Sequence, residues 1–150
     1  MSVLELSILV VSWNTRDMLR ECLRSALASL SGLSAEIIVV DNASADGSAE
    51  MVWREFAHEP RVQLIANSRN EGFARGNNQG YAAAHGTFVA VVNPDIVFRG
   101  PVLRDMMDHL RAHPGLEPVV ALDDPPAVLY RIAAGTADRA SLVSFPGGPP

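Results

Sequence analysis

The chain contains no lysine: all 12 of its basic residues are arginine. A phosphate-binding loop of the GxxxxGKS/T type needs that lysine, and no such string is present. Cysteine is almost as scarce. The single thiol, Cys22, excludes an internal disulfide, and without a CxxC or HExxH pair there is no zinc-site spacing. No GxGxxG string follows a strand-like run, which removes the main support for a dinucleotide oxidoreductase. No apolar run is long enough to span a bilayer, and the first residues lack a basic and then apolar leader pattern. A cytoplasmic location, at most peripheral to the inner face of a membrane, is therefore expected. The net charge of −5 argues against nucleic acid as the partner. The arginine bias accompanies abundant Ala, Gly and Pro, so it reads as codon usage rather than as phosphate recognition.

What is present is a chain of single-domain size with 48% apolar residues, enough to bury a substantial core. Leu6 to Ser12, Ile37 to Asp41, Val62 to Ala66 and Phe88 to Asn93 are short apolar runs of the kind that form buried parallel strands. Helical patterns separate them. Arg16 to Leu30 carries Met18, Leu19, Cys22, Leu23, Ala26, Leu27 and Leu30 on one stripe, with Asn14 or Thr15 as cap and Gly32 past its end. Cys22 lies on that stripe, which points to core packing. Ser48 to Phe56 has a weaker pattern. Gly76 to His85 has helical composition, with Gly86 at its end. Pro101 to His113 shows Val102, Leu103, Met106, Met107 and Leu110 on one face, and Pro114 stops it.

Strands that alternate with helices predict an α/β fold: a mostly parallel sheet flanked by helices. Strand ends then gather on one edge, so Trp13, Asn67, Asp41 and Asp95 are expected to converge. Residues 1–116 read as this domain. From Glu117 onward six of the ten prolines appear, and 117–150 reads as an irregular Pro/Gly-rich tail. Val119 to Leu122 suits a short strand, and no firm element is expected beyond Asp124.

Two carboxylates carry the chemistry. Phe88 to Asp95 reads FVAVVNPD. Pro94 ends the strand and leaves Asp95 just past it, where open α/β sheets bind ligands. A lone hard oxygen ligand suits Mg²⁺ or Mn²⁺ shared with a diphosphate, although a turn-capping role is equally open. Asp41 closes the run EIIVVD, placed to accept hydrogen bonds from ribose hydroxyls or a base N–H. It could instead cap the helix near Ser48; Asp46 or Ser48 could do so and leave Asp41 for a ligand. Between the third and fourth strands, Asn70 and Gly72 break the chain, Gly76 and Gly80 permit close approach, and Asn77 and Asn78 offer donors and acceptors. Arg69 and Arg75 read as surface arginines of a capping loop rather than as diphosphate ligands.

Taken in order, ILVVSWN, EIIVVDNASADGS, NEGFARGNNQG and FVAVVNPD resemble the inverting glycosyltransferases of family two, which have the GT-A fold. The flavour is similar to rhamnosyltransferase-like bacterial members that build surface polysaccharides. The resemblance covers roughly Ser7 to Pro114, the nucleotide-binding half. It implies a nucleotide-diphospho-sugar donor, UDP- or dTDP-linked, a divalent metal (Mg²⁺ or Mn²⁺), and a saccharide or lipid-linked acceptor. By position it makes Trp13, between Ser12 and Asn14, the aromatic near the base. Asp41 becomes the acid on base or ribose, and Asn70, Gly72, Asn77 and Asn78 line the nucleotide pocket. Asp95 becomes the metal-binding acid of a DxD motif whose first acid is Asn93, so metal affinity rests more on the donor phosphates. Asp46 is expected to be structural. The general base, an Asp or Glu of the second half in this family, is not found: Asp123 and Asp124 come too early, and Asp138 lies in a non-matching segment. The acceptor-binding half is accordingly expected to be missing. A catalytically incomplete fragment that acts by association with a partner or a second copy, a homo-oligomer, is the alternative. Nucleotidyl transfer ranks last, because SWNTRDM supplies only Arg16 after the first strand.

Overall fold

The computed structural model describes residues 3–113, 119–120 and 128–131. Strands β1 (Leu6–Ser12), β2 (Ala35–Asp41), β3 (Val62–Ala66) and β4 (Phe88–Val92) alternate with helices α1 (Arg16–Ser29), α2 (Ser48–Glu55), α3 (Phe73–Ala83) and α4 (Val102–Ala112). Two short strands follow, β5 (Val119–Val120) and β6 (Val128–Arg131). The sheet order is β3-β2-β1-β4-β6-β5. The first four strands in that order run parallel; β6 lies antiparallel to β4, and β5 to β6. The sheet therefore continues past residue 116, into a segment whose composition alone indicates an irregular tail. β6 escapes sequence reading because a run of this length carries too little periodicity to stand out among turn residues.

β1 and β2 are buried along their whole length, which explains their unbroken apolar runs: helices cover both faces. Leu6, Ile8 and Val10 of β1 face the cluster built with α1, α2 and α4, whereas Leu9 and Val11 face α3. This division follows from the path of the chain. Crossovers of one hand that step outward from β1 to β2 to β3 place α1 and α2 on one face; the return to β4 on the other side of β1 places α3 opposite. α3 starts at Phe73, one turn earlier than its composition indicates, because Gly72 turns the chain there; Phe73 to Arg75 form a mostly exposed first turn, with no buried face to mark it in the sequence. Its inner face is lined by Gly76 and Gly80. A Cβ on Gly76 would stand 2.8 Å from Val11 Cγ1, so the glycine lets α3 lie directly on β1.

Beyond β4 the chain turns back along α1. Ser25 Oγ accepts from the Phe98 N–H at 3.0 Å, Ser29 Oγ donates to the Gly100 carbonyl at 2.7 Å, and Ile96 and Phe98 are buried in the core. This docking fixes the path of the chain on either side of Asp95. At the opposite edge of the sheet, Gly86 lies against β1. A Cβ there would fall 2.5 Å from the Ser7 nitrogen and 2.6 Å from the Leu6 carbonyl carbon, both backbone atoms that cannot turn aside. Gly86→Ala should therefore lower stability by about 2 kcal/mol or more in a urea melt; a loss below about 0.5 kcal/mol would contradict this packing.

Candidate functional site

β1, β2 and β4 end at one rim. The register sets Ser12 opposite Asp41, and Val10 opposite Val92. The order of strands reverses at β1, with β2 on one side and β4 on the other. Open α/β sheets form their ligand crevice at such a point, outside the carboxyl ends of the strands.

The loop after β1 is tied to the loop after β2. Ser12 is fully buried; its hydroxyl shares a 2.8 Å hydrogen bond with Thr15 Oγ1, and its carbonyl accepts from the Asn42 N–H at 2.8 Å. Asn14 has a left-handed φ of 54°, its N–H donates to Ser44 Oγ at 2.9 Å, and its Oδ1 accepts from the Ala45 N–H at 2.7 Å. Trp13, between these anchored neighbours, is 56% exposed.

Asp41 is only 2% exposed. One carboxylate oxygen accepts from the Ser44 hydroxyl at 2.6 Å and the other from the Ser44 N–H at 3.0 Å. Asp41 thus closes its own turn, and the cap of α2 falls to Asp46. Each oxygen keeps a further lone pair for a ligand donor.

Asp46 does more than the sequence indicates. Its Oδ2 accepts from the Arg16 N–H in the first turn of α1 at 2.9 Å, and its Oδ1 accepts from the Ser48 N–H at 3.0 Å and from the Ser48 hydroxyl. Neither Asn14 nor Thr15 caps α1 with its side chain; the carboxylate arrives from the other loop, and both helix N-termini share it. Partial burial pushes the Asp46 carboxyl up, but the Ser48 hydroxyl and the backbone donors outweigh this and hold it below the ordinary 3.8.

Asn42 is the residue that sequence reasoning missed. It is buried, its Nδ2 donates to the Gly72 carbonyl at 3.0 Å, and its Oδ1 accepts from Asn67 Nδ2 at 2.9 Å. It thereby ties the loop before α3 to the end of β2. Its only sequence signal is an amide directly after a buried run.

The α3 candidates divide. Asn70 is exposed and accepts from the Gly72 N–H at 2.8 Å; Gly72 has a φ of 88° and open space beside it. Asn77 is buried and donates to the carbonyl of Phe73 in its own helix at 3.0 Å. Asn78 is exposed and lines a separate groove with Arg69, Glu71 and Arg75. Both arginines pair with Glu71, and the bond from Arg69 above all holds its carboxyl below the ordinary range. Asn14, Arg16 and Asp46 instead border a recess of about 330 Å³ at the start of α1.

Asn93 and Asp95 are exposed just beyond β4. The Asn93 carbonyl accepts from the Ile96 N–H at 3.2 Å and lies 3.9 Å from Cys22 Sγ. Burial, and then the charge of nearby Asp95, push the Cys22 thiol up to about 12, so it stays protonated and inert. Among the described residues no hydrogen bond or ion pair engages the Asp95 carboxylate, and no group of three or more His, Cys, Asp or Glu could hold a metal by itself.

The profile of glycosyl transferase family 2 matches residues 7–124. The chain belongs to this family. It is 36% identical over 108 residues to the succinoglycan biosynthesis protein ExoO of Rhizobium meliloti, covering 72% of the chain and 30% of that protein. It is 34% identical over 89 residues to the putative glycosyltransferase EpsH of Bacillus subtilis, covering 59% of the chain and 25% of that protein. Among solved structures, the mannosyltransferase PcManGT of Pyrobaculum calidifontis, in complex with GDP-Man and Mn²⁺, superposes with a TM-score of 0.76 at 19% identity, over 85% of this chain and 44% of that one. TarS of S. aureus in complex with UDP-GlcNAc superposes with a TM-score of 0.66 at 24% identity, over 77% of this chain and 33% of that one. The fold of this family 2 domain is therefore GT-A-like α/β, and the chain spans less than half the length of these relatives. No helix among the described residues is long and apolar enough to cross a membrane.

Two outcomes test the loop network. Asn42→Ala should speed amide hydrogen exchange at Glu71 and Gly72 while β1 and β2 keep their protection; unchanged exchange there would remove Asn42 from its assigned role. The depressed Asp46 carboxyl contributes stability that is complete above its unfolded value and is lost as the pH falls through its lower folded value. Asp46→Asn should therefore destabilise the chain at pH 7 by about 1 kcal/mol, and by less at pH 3, in paired thermal melts.

Proposed function

We propose that this family 2 domain binds the nucleoside diphosphate of a sugar donor, UDP- or dTDP-linked, at the rim shared by β1, β2 and β4. The observation that carries the reading is the pairing of an exposed indole after β1 with an unengaged carboxylate after β4, on adjacent strands at the switch point. Trp13 offers a flat face on which a base of any kind can stack. Asp41, its carboxylate held still by Ser44, accepts from a base N–H or a ribose hydroxyl. The exposed Asn70, Gly72 and Asn93 supply polar atoms at the same edge of the sheet.

Asp95 fits a divalent metal as a single hard ligand, so Mg²⁺ or Mn²⁺ would be held jointly with phosphates and water. When bound, such an ion supplies charge stabilisation to the departing diphosphate. Its Mn²⁺-bearing structural neighbour supports this part of the reading. Asp95 would hold the ion, and Asn93 would add no charge to raise metal affinity in the absence of nucleotide. The whole-enzyme reading is inverting glycosyl transfer to a saccharide or lipid-linked acceptor, in rhamnosyltransferase-like synthesis of a bacterial surface polysaccharide at the cytoplasmic side of the membrane. The similarity to a succinoglycan biosynthesis protein supports the product class. No residue of this chain is assigned as the general base.

Isothermal titration with UDP and with dTDP, each with and without Mn²⁺, tests the reading. Binding of at least one nucleotide, tightened by the metal, is expected. Trp13→Ala should weaken it about tenfold or more. Asp95→Ala should abolish the metal effect and leave metal-free binding unchanged. Failure of every nucleotide to bind the parent chain would reject the proposal.

A further inference from the structure

Trp13 is an exposed side chain on a backbone that is pinned on both sides. Before it, the Ser12 carbonyl takes the Asn42 N–H at 2.8 Å. After it, Asn14 is bound by its N–H to Ser44 and by its Oδ1 to Ala45, at 2.9 and 2.7 Å. Ser44 in turn holds both oxygens of Asp41. All of these bonds reach the short turn between β2 and α2, and Asp46 fastens that turn to α1. Its two oxygens serve the Arg16 N–H on one helix and the Ser48 N–H on the other, and the Arg16 guanidinium returns a bond to the Asp46 carbonyl at 3.2 Å.

Helix capping alone needs no such sharing. A side chain on each loop could satisfy its own helix, and Thr15 at the N-cap of α1 is of a type that commonly does so. A carboxylate shared between two N-termini fixes their separation and, through them, the loops that carry Trp13 and Asp41. We propose that Asp46 is a positioning residue: it sets the direction of the Trp13 indole relative to the Asp41 carboxylate and so the fit of the nucleobase. The link to a nucleobase rests on the nucleotide reading above; the clamp on Trp13 does not.

The test separates the two. In a Trp53→Phe background Trp13 is the sole tryptophan, and Trp53 is 70% exposed on α2, so its replacement leaves the core intact. Time-resolved fluorescence anisotropy then reads the motion of the indole with no ligand present. Asp46→Ala should add a fast depolarising component that the parent lacks, and Asp46→Asn, with one acceptor oxygen left, should give a smaller one. Titration of the same proteins with UDP and with Mn²⁺-pyrophosphate should show UDP weakened about tenfold by Asp46→Ala and pyrophosphate binding unchanged. A purely structural role lowers both affinities together, in step with the folded fraction in a thermal melt, and would overturn the proposal. So would unchanged anisotropy in Asp46→Ala. A parent chain that binds no UDP yet shows the anisotropy change would refute the nucleotide reading and retain the clamp.

Discussion

The loops that carry Trp13 and Asp41 depend on the turn that links β2 to α2. This turn carries no apolar anchor of its own. It is held by polar bonds: Asp41 to Ser44, Asn42 to the backbone near Gly72, and Asp46 to two helix starts. Buried polar groups hold a shape only when all of their partners are present. Among the described residues, no buried side-chain nitrogen or oxygen lacks one. The turn is thus held by polar bonds, several of them exposed, whereas the strands beneath it are held by packing.

Much of the fold can be read from residue patterns. β1 begins and ends where its apolar run does, since a central parallel strand must be apolar on both faces and a turn residue follows at once; β3, at the sheet edge and partly exposed, also keeps the bounds of its run. α1 and α4 follow from stripes such as Leu19, Cys22, Leu23 and Ala26. The site is less legible. Trp13, Asp41 and Asp95 are visible because each stands at the end of a strand. Asn42 and the double service of Asp46 are not, because their partners lie about 30 residues away and face them only once the sheet has set its register. For Asn77 the residue type suggests a ligand contact, whereas its position on α3 has its amide donating to the Phe73 carbonyl of the same helix.

Charge at the rim is sparse. Asp95 is one acid where the motif it resembles has two, and the chain offers no lysine to balance a diphosphate. Arg69 and Arg75 share the single carboxylate of Glu71, on a groove apart from Asn14 and Asp46. Of the arginines, Arg16 borders the recess beside this rim, and Arg99 lies exposed four residues past Asp95.

The opposite edge of the sheet holds a second buried acid. Glu36, 6% exposed, accepts from Ser7 Oγ at 2.7 Å, from the His85 N–H at 2.7 Å and from Gln63 Nε2 at 2.9 Å. Its donors come from β1, from β3 and from the link between α3 and β4. A buried polar side chain is costly until donors and acceptors around it are paired. A partly assembled chain, lacking any of these segments, would leave the acid short of partners. Glu36 therefore ties three segments far apart in sequence to one point of the sheet, and its set of partners is complete only in the native arrangement.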